Sequence, residues 1–177
     1  MGLDSLELLL AWEDAFGVSI SNSEARSVYT TREVVECIYN KIKAPIPEDS
    51  GCLAMRAFLR LRRAFQSVGV QRQDIYPDAN ISALLPGRQR RDVLNVVRER
   101  AGLSPLRRLP FGLQFTSGRL RDMVLDTVVE HHAELRLPGY GWSQAQVREV
   151  VRAVMYAQLA LRRFSDTAKF VKDLGID

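Results

Sequence analysis

Wherever this chain is apolar its apolar residues fall at helical spacing, and no stretch alternates long enough to make a strand. A core must then come from helices packed on helices, so the expected fold class is all-α. Over 3–16, Leu6, Leu9, Leu10 and Ala15 or Phe16 form one stripe, with Glu7, Glu13 and Asp14 off it, and Gly17 ends the helix. Ser21-Asn22-Ser23-Glu24 and Thr30-Thr31-Arg32-Glu33 each set a hydroxyl three residues before a carboxylate, the spacing of a capping box. A short helix should follow Ser21, and a longer one over 31–43 carries Val34, Val35, Ile38 and Ile42. Further helices are expected over 53–67, 88–101 and 117–135, and over 143–161 behind the cap-like Ser143 and Gln146. Pro45, Pro47 and Gly51 mark 44–51 as a linker, and LPGYGW marks 136–142 as a second. Pro77 to Pro86 and Pro105 to Pro110 read as loops.

Charge divides the chain as the linkers do. Residues 1–51 hold 4 basic and 9 acidic side chains, a net of −5, whereas 52–110 hold 12 and 4, a net of +8. The overall excess of +4 therefore belongs to the middle block. No apolar run approaches the ~20 residues of a membrane-spanning helix, and MGLDSLELLL lacks the positive start of a secretory signal. A cytoplasmic protein is expected. Two cysteines, Cys37 and Cys52, make no disulfide framework and read as small buried hydrophobes.

The two ends of the chain complement each other. Phe170-Val171-Lys172-Asp173-Leu174-Gly175-Ile176-Asp177, placed before Gly2-Leu3-Asp4-Ser5-Leu6-Glu7-Leu8, gives FVKDLGID followed by GLDSLELLLAWEDAFGVSI. That joined stretch resembles the acyl carrier protein signature, in which a Leu-Gly-x-Asp-Ser-Leu loop delivers a serine to a helix start for attachment of 4'-phosphopantetheine. The resemblance implies a four-helix bundle, circularly permuted, made of 1–43 and 143–177, with a basic helical domain over 52–135 inserted. The helix 143–161 and its loop stand for the family's first helix, and 3–16, 21–27 and 31–43 for the second, third and fourth. It also implies a non-catalytic protein whose partners are acyl-transferring or carrier-dependent enzymes.

Register decides whether the group has anywhere to attach. Counting back fourteen from Phe16, the family's interval, reaches Gly2, which has no hydroxyl. The competing register takes Leu3-Asp4-Ser5-Leu6 as the motif itself, with Ser5 as the attachment residue and a helix shorter by three residues. The favoured reading is Gly2: no cofactor, and a carrier-derived interaction module. In the other, Ser5 carries phosphopantetheine.

Candidate partner contacts are Glu7, Glu13 and Asp14 on the carrier-like helix, and Arg60, Arg63, Arg90 and Arg91 among the arginines of the middle block, which also include Arg56, Arg62, Arg88, Arg98, Arg100, Arg107 and Arg108. The alternative for that block is a basic helical adaptor or nucleic-acid-binding protein, although no aromatic-interleaved basic motif supports it. His131 and His132 are adjacent, so on a helix they diverge by about 100° and do not form a metal pair. There is no phosphate loop, nucleophile elbow or Cys/His arrangement on which to rest an enzymatic reading. A weak internal repeat runs from Val68 to Ser104, and Phe115-Thr116-Ser117 parallels Tyr29-Thr30-Thr31, making the middle block a degenerate second copy of the same unit. A monomer is expected, closed within one chain, with a domain-swapped dimer as the other way to make the same contacts.

Overall fold

A computed structural model describes residues 2–87, 90–102 and 118–176. Regular structure among these residues is helical: α1 (Leu3–Phe16), α2 (Asn22–Ala25), α3 (Thr31–Ile42), α4 (Leu53–Ser67), α5 (Ile81–Leu84), α6 (Arg90–Arg100), α7 (Leu120–Leu135), α8 (Gln144–Leu159) and α9 (Phe170–Leu174). A 3₁₀ turn, Arg72–Asp74, lies between α4 and α5. The all-α expectation holds. Two segments expected as loops carry the short helices α5 and α9. The parallel drawn at Phe115-Thr116-Ser117, like Arg88, Arg107, Arg108 and Asp177, lies outside the described residues.

Both capping boxes form. The Ser21 hydroxyl accepts from the Glu24 N–H while the Glu24 carboxylate takes the Ser21 N–H, and Thr30 and Glu33 do the same. Gly17 closes α1 at φ 63°, a left-handed conformation that glycine adopts without steric cost, and its N–H bonds the Glu13 carbonyl. The apolar stripe of α1 is rotated from the one expected: Leu8, Leu9 and Trp12 are buried, while Leu6 and Leu10 face solvent. A helix with leucine at 6, 8, 9 and 10 offers two apolar faces, and packing selects between them.

The chain divides into two compact units. Unit 1 comprises Met1–Leu53 with His132–Asp177, and unit 2 comprises Ala54–His131. In unit 1, α8 packs against α1 and α3. Val147, Val150, Val151 and Val154 of α8 are buried with Val34, Val35 and Ile38 of α3. The Trp12 indole N–H donates to the Val151 carbonyl at 3.4 Å. The stretches expected as linkers are joined here: Asp49, 1% exposed, accepts from the N–H of Gly51 and of Leu137, each at 2.9 Å, and Gly141 N–H donates to the Pro47 carbonyl. Their prolines and glycines shape hydrogen-bonded turns.

In unit 2 the core is supplied by Ala57, Leu61, Ala64 and Phe65 of α4, Leu94 and Val97 of α6, and Leu120, Met123, Val124 and Val128 of α7. At His131 the backbone of α7 leaves helical geometry, at φ −129° and ψ 20°.

The two units repeat one set of backbone bonds. In unit 1, Lys169 bridges Thr30, Phe170 N–H donates to the Tyr29 carbonyl at 2.9 Å, and Arg32 N–H donates to the Asp166 carbonyl at 2.9 Å. In unit 2, Asn80 bridges Arg119, Ile81 N–H donates to the Gly118 carbonyl at 2.9 Å, and Arg121 N–H donates to the Pro77 carbonyl at 2.7 Å. Every partner in the second set lies 89 positions from its counterpart in the first. Buried positions keep the same interval: Thr31, Val34, Val35 and Ile38 answer to Leu120, Met123, Val124 and Thr127, and Gln146, Val150, Ala153 and Val154 to Ala57, Leu61, Ala64 and Phe65.

Candidate functional site

The start of α1 lies beside a cavity of about 810 Å³. Gly2 is the N-cap residue, extended at φ −78° and ψ −175°, and its carbonyl accepts the Leu6 N–H at 3.3 Å. Ser5 is therefore the third residue inside the helix; it is half-buried and, like Gly2, lines the cavity. Leu8, Leu9 and Trp12 of α1 form one wall. Ala25 at the end of α2, with Val28 and Tyr29 between α2 and α3, forms a second, and Phe170, Val171 and Ile176 from the far end of the chain form a third. The Phe170 and Trp12 rings meet at 6.1 Å between centroids. The lining is mostly apolar, with Arg26, Glu33, Lys169 and Lys172 as its charged members. Glu33 is held by the N–H groups of Tyr29 (2.7 Å) and Thr30 (2.9 Å).

The candidate contact residues take different places. Glu7 and Asp14 are exposed on α1, next to the solvent-facing Leu3, Leu6 and Leu10. Glu13 is engaged within the unit, its carboxylate accepting the Ile20 N–H at 2.6 Å, which ties the turn after α1. Arg63 and Arg91 are exposed and Arg60 is half-buried. Arg90 reaches back to the end of α5, donating to the carbonyls of Leu85 at 2.9 Å and Ser82 at 3.5 Å.

One of the middle-block arginines lies inside its unit. Arg98 is 3% exposed and sits 3.4 Å from both the Glu130 carboxylate and His131 Nε2. Beside it, burial pushes the Asp126 carboxyl up to about 7, reinforced by Glu130 and Asp122 one turn to either side and only partly offset by Arg98. The adjacent histidines part company: His131 is buried in unit 2, and His132 stacks against Phe16 and Trp142 in unit 1. The Arg136 guanidinium lies 4.2 Å over the Trp142 ring.

A 42-residue segment of the chain is 45% identical to an acyl carrier protein of Thermosynechococcus vestitus, covering 24% of this chain and 52% of that protein. Over that segment the chain is similar to an acyl carrier protein. The match spans about half the length of the curated relative. No protein-family model matches the chain, and no solved structure matches it.

Sequence reasoning missed Trp12, Tyr29, Lys169 and Lys172 as site residues. Trp12 is apolar at helical spacing and reads as core, while the tail that brings Lys169 and Lys172 to the cavity carries too few residues for helical periodicity to register. No group of three or more metal-ligating side chains occurs among the described residues, and no described helix is long and apolar enough to cross a membrane.

Proposed function

We propose that unit 1 is a circularly permuted, acyl-carrier-like bundle interrupted by unit 2, and that it acts without catalysis as an interaction module for acyl-transferring or carrier-dependent enzymes. The observation that carries this reading is Gly2 at the cap of α1, beside an apolar cavity closed by the tail of the same chain. A carrier needs a hydroxyl at that cap, where the first N–H groups and the helix dipole favour a phosphodiester. Glycine supplies none, so phosphopantetheine does not fit the cap. The likeness to an acyl carrier protein supports the family side of the reading. The exposed Leu3, Leu6 and Leu10, flanked by Glu7 and Asp14, supply an apolar face with an acidic edge of the kind a basic partner surface would meet.

A second reading is favoured by one observation: Ser5 lines the same cavity. In it Ser5 receives the group and the protein is a working carrier. Intact mass after co-expression with a broad-specificity phosphopantetheinyl transferase separates the two. The expected result is an unmodified protein, with Gly2→Ser gaining one phosphopantetheine. A mass gain on the parent chain that Ser5→Ala abolishes would replace the first reading by the second.

A further inference from the structure

The internal repeat provides a control for the cavity. Ninety minus one positions separate the matched residues, so Asn80 and Ala83 of unit 2 stand where unit 1 has Lys169 and Lys172. Asn80 caps α5, its side chain accepting the Ser82 N–H at 2.9 Å. Lys169 occupies the same cap of α9 and makes no side-chain cap bond. The scaffold thus has no need of a cation at either place, and at the cap a lysine forgoes a stabilising bond.

Both lysines nevertheless line an apolar cavity, and Arg26 joins them. None of the three forms an ion pair among the described residues, and the one carboxylate of the lining, Glu33, is already engaged by two backbone N–H groups. The charged part of the lining is therefore net positive, while Leu8, Leu9, Trp12 and Phe170 offer only dispersion contacts and removal from water. An occupant matching both needs an alkyl chain and an anionic head. A volume of about 810 Å³ suits a small molecule.

We propose that this cavity binds a free long-chain carboxylate without a covalent bond, its chain along Trp12 and Phe170 and its head met by Lys169 and Lys172. The site is the one read above as carrier-like, and the ligand assignment rests on that reading while requiring no attachment serine.

Calorimetric titration of the full chain with dodecanoate, below its micellar concentration, tests this. The expected result is one saturable site, about tenfold tighter for dodecanoate than for dodecyltrimethylammonium, which has the same chain and the opposite head. The double variant Lys169→Gln/Lys172→Gln, whose exposed side chains can be changed without emptying the core, should lose that preference while keeping its helical circular dichroism. Ser5→Ala should bind as the parent does. Absence of a saturable site, equal affinity for the two heads, or a double variant that keeps the preference overturns the proposal. Because the readout is noncovalent binding, its failure is separable from the outcome of the mass measurement, which reports on attachment alone.

Discussion

Ser5 stands twelve residues before Gly17, and Arg90 stands twelve before Gly102; both glycines are left-handed, at φ 63° and φ 69°. At this matched position the units diverge. In unit 2 the long Arg90 side chain crosses from the start of α6 to the carbonyls of Leu85 and Ser82 at the end of α5. In unit 1 the short Ser5 side chain leaves space between α1 and α9, and that space is part of the cavity. A backbone pattern held by the same bridges thus carries a side chain that spans the gap in one unit and one that leaves it open in the other.

Electrostatics diverge in the same direction. Two carboxylates of unit 1 are held ionised by partners: Lys41 and Ser21 hold Glu24 down to about 2, and Arg148 and Arg152 outweigh partial burial to hold Asp166 below the usual range. In unit 2, burial instead lowers the Arg98 guanidinium and pushes the Asp126 carboxyl up.

The largest expected effect sharpens the comparison at one register position. Ile38 and Thr127 lie 89 positions apart and both are fully buried. Ile38→Ala should destabilise unit 1 by about 2–5 kcal/mol. Thr127→Ala removes a smaller group and the bond from its hydroxyl to the Met123 carbonyl, and should cost about 1–2 kcal/mol. Urea unfolding monitored by hydrogen exchange in each unit checks both, and an inverted order would break the register.

The next effect is a pH dependence of opposite sign in the two units. Asp126 titrates at about 7 when folded against an ordinary value of 3.8, so between those values the folded form binds more protons. Its contribution is full below pH 3.8 and is lost as pH rises to 7. Glu24 behaves oppositely: its folded value of about 2 lies below 4.5, so its contribution is present above 4.5 and lost as pH falls towards 2. Comparing the parent with Asp126→Asn at pH 4 and pH 7 isolates the first term. The variant should gain stability over the parent at pH 7 and little at pH 4; the reverse would show that Asp126 is ionised and favourably paired in the folded unit.

The smallest effect concerns the matched caps. Asn80→Ala should cost about 1 kcal/mol, whereas Lys169→Asn should gain a few tenths to about 1 kcal/mol by restoring the missing cap bond. Thermal melts of the two variants measure it, and a destabilised Lys169→Asn protein would mean that the lysine supports the fold itself.

Much of this architecture was legible in the sequence because it rests on local signals. Ser21 with Glu24 and Thr30 with Glu33 are side-chain-to-backbone bonds written at a fixed spacing, and both boxes form. What was illegible depends on distant partners. The face of α1 is chosen by its packing on α8, not by its own leucines. The helices α5 and α9 have fewer residues than two turns, and bridges to Arg119 and Thr30 at their cap residues help hold them. The 44–51 and 136–142 stretches have the composition of linkers, yet a buried Asp49 joins them. The repeat is faint in residue identity because Ile38 and Thr127, or Gln146 and Ala57, share burial rather than chemistry.

The two ends of the chain complete one unit, with the candidate site at their join. Hydrogen exchange of Leu3–Phe16, compared between the full chain and a chain lacking 143–177, tests this most directly. With α8 removed, the buried faces of Leu8, Leu9, Trp12, Val34 and Ile38 lose their cover, each worth roughly 1.5–3 kcal/mol, and together they are comparable to the whole stability of a typical domain. Protection across α1 and α3 should fall to that of an unfolded peptide; strong protection retained in the shortened chain would contradict the account.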